Sequence, residues 1–150
     1  KNLLFPYFIS YFNEFAGGVN NGYRYVTDSN YDWGQDLKRL TAFVDEKDIN
    51  KIAVDYFGGG SAKYYLNDKV EYWQSSKSNP KKQGIDWLAV SINTLQSAFG
   101  KLAPGQNRNP EDEYNWLKEI NPVRNGISNG VKNPYQPDYR AGTSIFIYKL

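Results

Sequence analysis

Trp87-Leu88-Ala89-Val90-Ser91-Ile92 is a nearly unbroken apolar run, and its reading decides the fold. A strand with one wet face alternates apolar and polar residues, so a run without alternation reads as a strand covered on both faces. Working outward, Ile52-Ala53-Val54-Asp55-Tyr56-Phe57 reads as another strand, stopped by Gly58-Gly59-Gly60, and Ser144-Ile145-Phe146-Ile147-Tyr148-Lys149 closes the chain as a third. Shorter strands are expected at 23–27 and 70–74. Helices are expected between them. Trp33, Leu37, Leu40 and Val44 fall at helical spacing, which predicts an amphipathic helix of about four turns. Residues 62–66 and 93–99 read as short helices. Asn109-Pro110-Glu111 opens another, with a cap, a proline at the first position and acids in the first turn, and would turn Tyr114, Leu117 and Trp116 inward. Strands separated by helices predict an α/β fold, a mixed sheet flanked by helices, in a single domain spanning 1–150. Strand order is not encoded in this pattern.

Composition narrows the chemistry. The chain has no Cys and no His, which excludes disulfides, thiolate metal sites and the Ser-His-Asp triad. Acid–base work would fall to carboxylates, Lys or Tyr. The net charge of +2 comes from scattered cations, so no nucleic-acid partner is expected. Aromatic residues make up 17% of the chain, with 13 Tyr and 4 Trp, enough to fill a core and still offer rings to a ligand. No run approaches the ~20 apolar residues that span a bilayer. The absence of Met predicts a fragment or a processed product. Residues 1–15 are the most aromatic and apolar part of the sequence and read either as a helix packed on the core or as a segment at a membrane surface. Residues 121–137, rich in Asn, Gly and Pro, read as a long mobile loop.

The densest cluster of polar groups is Asp28-Ser29-Asn30-Tyr31-Asp32-Trp33-Gly34-Gln35-Asp36-Leu37, at the entrance of the amphipathic helix. Asp32 followed by Gln35 reads as a capping box. Asp28, Asn30, Asp32 and Asp36 match positions 1, 3, 5 and 9 of a calcium loop, but Trp33 stands where the loop needs Gly and Arg39 where it needs a closing Glu, so no metal is assigned. Two readings stay open. In one, Asp32, Gln35 and Asp36 hydrogen-bond a ligand while Trp33 or Tyr31 stacks on it; in the other, Trp33 is core and the carboxylates cap the helix. The Gly58-Gly59-Gly60 turn has neither dinucleotide nor P-loop spacing and reads as a flexible turn.

Tyr11-Phe12-Asn13-Glu14-Phe15-Ala16-Gly17-Gly18, then Asn21-Gly22-Tyr23-Arg24-Tyr25, then the 28–37 cluster, resemble the C-terminal soluble region of bacterial multi-pass membrane glycosyltransferases. These are similar to the protein O-mannosyltransferase and aminoarabinose transferase group, which use polyprenyl-phosphate-linked sugars. Tyr56-Phe57-Gly58, Trp87-Leu88-Ala89-Val90-Ser91, Trp116-Leu117 and Gly142-Thr143-Ser144-Ile145-Phe146-Ile147-Tyr148 extend the resemblance over nearly the whole chain. Two departures are the Gly58-Gly59-Gly60-Ser61 turn, where a more polar one is expected, and an apparent insertion at 122–134.

The resemblance implies an accessory domain on the extracytoplasmic side of the bacterial cell membrane. Residues 1–15 would then be membrane-proximal, and the partners would be the parent's own transmembrane region, the membrane surface and a glycan or lipid-linked sugar. In such enzymes the catalytic carboxylate belongs to a loop between early membrane helices, so the resemblance carries no catalytic residue over onto this chain and implies no cofactor. Asp28, Asn30, Asp32, Trp33, Gln35 and Asp36 become the expected substrate-binding or supporting residues. The alternatives are a free carbohydrate-binding module, and a carboxylate hydrolase using two of Asp28, Asp32 and Asp36.

Overall fold

The computed structural model describes residues 33–99, 102–120 and 136–150. The expectations for 1–15, the strand at 23–27, Asp28, Asn30, Asp32 and nearly all of the 121–137 loop lie outside these residues. In chain order the elements are α1 (Leu37–Glu46), β1 (Ile52–Asp55), α2 (Ala62–Leu66), β2 (Val70–Tyr72), β3 (Trp87–Ser91), α3 (Ile92–Phe99), α4 (Asn115–Ile120), β4 (Tyr139–Ala141) and β5 (Ile145–Lys149). They build an α/β fold around one mixed five-stranded sheet of order β2-β1-β3-β5-β4. β1 pairs in parallel with both β2 and β3, whereas β5 runs antiparallel to β3 and β4.

Period-two alternation within apolar strands divides the core between the two faces of the sheet. On one face, Ile52, Val54, Ala89, Ile145 and Ile147 meet Leu37, Leu40 and Val44 of α1 and Ala62 and Leu66 of α2. On the other, Ala53, Leu88, Val90, Phe146 and Tyr148 meet Ile92 and Leu95 of α3 and Leu117 of α4. The continuous run in β3 is thereby explained: each of its faces is covered by helices.

Several boundaries differ from the sequence reading, each for a local reason. α1 begins at Leu37 rather than near Trp33, and Trp33 is 62% exposed, so the core stripe consists of Leu37, Leu40 and Val44 alone. The expected helix at Pro110 is a single 3-10 turn, Pro110–Asp112, in which Asn109 accepts from the Glu111 N–H. α4 starts later, after Tyr114 has turned the chain with φ of 49°. The polar stretch after β2 is not a plain surface loop: it contains two 3-10 turns that bury Ser75 and Pro80. β4 was not expected at all. Its three residues show no apolar pattern and are held as an edge strand by pairing with β5 and by the packing of Tyr139 with Phe43 and Trp87, ring centroids 5.1 and 5.9 Å away.

Candidate functional site

The helix entrance divides into an inward and an outward part. Asp36 immediately precedes α1, and its carboxylate points into the protein with no solvent exposure. Its Oδ2 accepts from the N–H groups of Thr143 and Ser144, both at 2.9 Å, and from the Ser144 hydroxyl at 2.8 Å. Oδ1 is paired with the Arg39 guanidinium one helical turn on. Thr143 and Ser144 belong to the turn joining β4 to β5, so one carboxylate ties the start of α1 to a hairpin more than 100 residues away. A buried carboxylate this well supplied with donors is a structural latch. With its oxygens engaged inside the protein, it is not placed to touch a ligand directly or to form half of a hydrolase pair. Those expectations for Asp36 are corrected.

Trp33 and Gln35 face outward. Gln35 Oε1 accepts from the Trp33 N–H at 2.8 Å, and both side chains, with Lys38, Arg39 and Tyr65, line an open groove of about 580 Å³. The reading of Trp33 as core is thus overturned: its side chain is largely exposed at this groove. The glycines of the 58–60 turn have a packing role. A Cβ at Gly60 would come within 2.6 Å of Leu37 Cδ1, and one at Gly34 within 3.2 Å of Gly60 Cα, because the turn lies directly against the Trp33-Gly34 backbone. Among the described residues, no group of three or more His, Cys, Asp or Glu side chains could hold a metal, and no helix is long and apolar enough to cross a membrane.

A second concavity was not anticipated. The chain leaves β1 towards α2 on one face of the sheet and leaves β3 directly into α3 on the other. Neighbouring parallel strands whose connections part in this way leave a crevice at their carboxyl ends. Here it is a cleft of about 480 Å³ whose lining includes Asp55 at the end of β1, Ser75 after β2, Thr94 of α3, and Asn107, Asp112 and Tyr114. At its base the Tyr114 hydroxyl donates to Asp55 Oδ2 at 2.6 Å, while the Tyr114 N–H donates to Ser75 Oγ at 2.9 Å. Ser91, which ends β3, accepts from the Phe57 N–H and shares a hydrogen bond with Thr94.

Burial raises the Asp55 pKa above the ordinary 3.8; the hydrogen bond from Tyr114 opposes that rise, and the nearby Asp112 charge adds to it. Burial, then the Asp55 charge, pushes the Tyr114 phenol far up, so it is a permanent donor. The folded state therefore holds the Asp55 proton to higher pH than the unfolded chain does. As pH rises from the unfolded value through the raised folded one, the unfolded state binds fewer protons and stability falls. Asp55→Asn keeps an oxygen to accept from Tyr114 and removes the titration. We expect the variant to lack this loss of stability in urea melts across pH 4 to 7, and to be more stable than the parent at pH 7.

Asp55 and Ser91 could have been suspected from sequence as the polar residues that end apolar strands. Tyr114, 59 residues from Asp55, carried no such signal. Comparison with protein-family models, curated proteins and solved structures finds no match to this chain.

Proposed function

We propose that the chain is the extracytoplasmic accessory domain of a bacterial membrane glycosyltransferase that draws sugar from a polyprenyl-phosphate donor. It contributes recognition and support, and the catalytic base belongs to the membrane-embedded part. The observation that carries this reading is the groove at the start of α1, where the exposed Trp33 indole stands beside Gln35, Lys38 and Arg39. An aromatic plane suits a sugar face, and two cations suit the phosphate of a lipid-linked donor. Asp36 serves the groove indirectly, by pairing with Arg39 and fixing the backbone on which Trp33 and Gln35 are presented.

The test has two arms. The reading frame upstream of Lys1 should encode several membrane-spanning helices; a frame without them overturns the reading. In membranes carrying the full-length product, Trp33→Ala should raise the KM for the lipid-linked sugar about tenfold, equivalent to about 1.4 kcal/mol, with kcat nearly unchanged. An unchanged KM would remove the groove from substrate recognition. The polar cleft beyond β1 and β3 favours a second reading, a carbohydrate-binding module, which glycan binding by the 150-residue chain alone would support.

A further inference from the structure

We propose that the cleft at the carboxyl ends of β1 and β3 binds a neutral, hydroxyl-rich ligand of about monosaccharide size, with Asp55 as its principal acceptor. The inference rests on the sugar-handling reading above only in choosing a sugar among polyols. The cleft volume, about 480 Å³, lies in the range of small-molecule sites. Asp55 is half-buried, and only one of its oxygens is used within the protein: Oδ2 accepts from Tyr114, while Oδ1 has no hydrogen-bond partner among the described residues. Tyr114 is fully buried and donates to both Asp55 and Ser75, so the acceptor is held in one orientation before any ligand arrives.

The side chains of Gln74, Asn107 and Asp112 line the same space and make no hydrogen bond within the described residues. They offer both donors and acceptors, the mixture that vicinal hydroxyls require because each hydroxyl donates and accepts. The charge balance argues against an anion: Asp55 and Asp112 outnumber Arg108, the one cation of the lining among the described residues. Among the described residues no aromatic ring stands at the rim as a stacking plate, so recognition by these residues rests on hydrogen bonds, unlike at the Trp33 groove.

The test is an amide-resolved NMR titration of the 150-residue chain with methyl mannoside, glucosamine and inorganic phosphate as probes. Methyl mannoside should shift the amides of Asp55, Thr94 and Tyr114 saturably in the millimolar range. Asp55→Asn turns an acceptor into a donor while keeping the Tyr114 bond, and should weaken this binding about tenfold or more. Asp112→Asn, at an exposed position where folding is not at stake, should weaken it less, by about fivefold. The proposal is overturned if methyl mannoside causes no shift at about 100 mM, a thermodynamically negligible affinity. It is also overturned if Asp55→Asn binds as well as the parent, if only glucosamine binds, or if phosphate displaces the glycoside. Shifts confined to Trp33 and Lys38 would overturn the cleft and leave the transferase reading standing. Cleft binding by a chain whose upstream frame encodes no membrane helices would do the reverse.

Discussion

Asp36→Ala is expected to lower the unfolding free energy by roughly 3 kcal/mol, because it removes a buried charged acceptor shared by three buried donors. The loss is large because of what remains behind. The Thr143 and Ser144 N–H groups and the Ser144 hydroxyl would each lose the acceptor they now share, in a region where the Asp36 side chain has no exposure. Leaving a buried donor unsatisfied costs about 1–3 kcal/mol. Arg39 would also lose its ion partner beside the start of α1, where a negative charge favours the helix. Asp36→Asn keeps one acceptor oxygen but places an amide among donors, and should cost about 2 kcal/mol. Urea denaturation of both variants measures this; a loss below about 1 kcal/mol for Asp36→Ala would mean that the latch is not structural. Domains of this kind are stable by only about 5–15 kcal/mol, so the alanine variant should lose a large fraction of its stability.

Gly142→Ala should be about as damaging, by a steric route. Gly142 has φ of 64°, and a Cβ there would overlap the Asp36 carboxylate. The backbone conformation alone would cost about 1 kcal/mol for a side chain. The overlap adds more, because the carboxylate is pinned by four contacts and cannot swing aside. We expect a combined loss of about 3 kcal/mol or more. The two positions should be strongly coupled. In an Asp36→Ala background the carboxylate is gone, so Gly142→Ala should then cost only the conformational share, about 1 kcal/mol. Strictly additive losses in this double-mutant cycle would show that the hairpin turn and the helix entrance are not packed on one another.

The glycine turn after β1 carries the same lesson about reading function from a sequence. Gly58-Gly59-Gly60 looks like a flexible turn or an incomplete phosphate loop when only neighbouring residues are considered. In the folded chain Gly59 and Gly60 lie against the backbone of Trp33 and Gly34, where any side chain would force the two segments apart. The glycines serve close approach, and that need arises from residues more than 20 positions away.

Local order along the chain is enough for the α/β class, because period-two and helical patterns depend only on nearby residues. The apolar runs of β1, β3 and β5 and the stripe Leu37, Leu40 and Val44 are legible one segment at a time. Long-range pairing is not encoded in that way. The sheet order, the existence of β4, the inward turn of Asp36 towards Thr143 and Ser144, and the exposure of Trp33 all follow from which segments meet. A carboxylate at a helix entrance has the same sequence signature whether it caps, binds or latches; only the donors brought to it by tertiary packing select among these. The cleft formed by Asp55, Ser75 and Tyr114 exists for the same reason: three separate segments converge where neighbouring strands send their connections to opposite faces of the sheet.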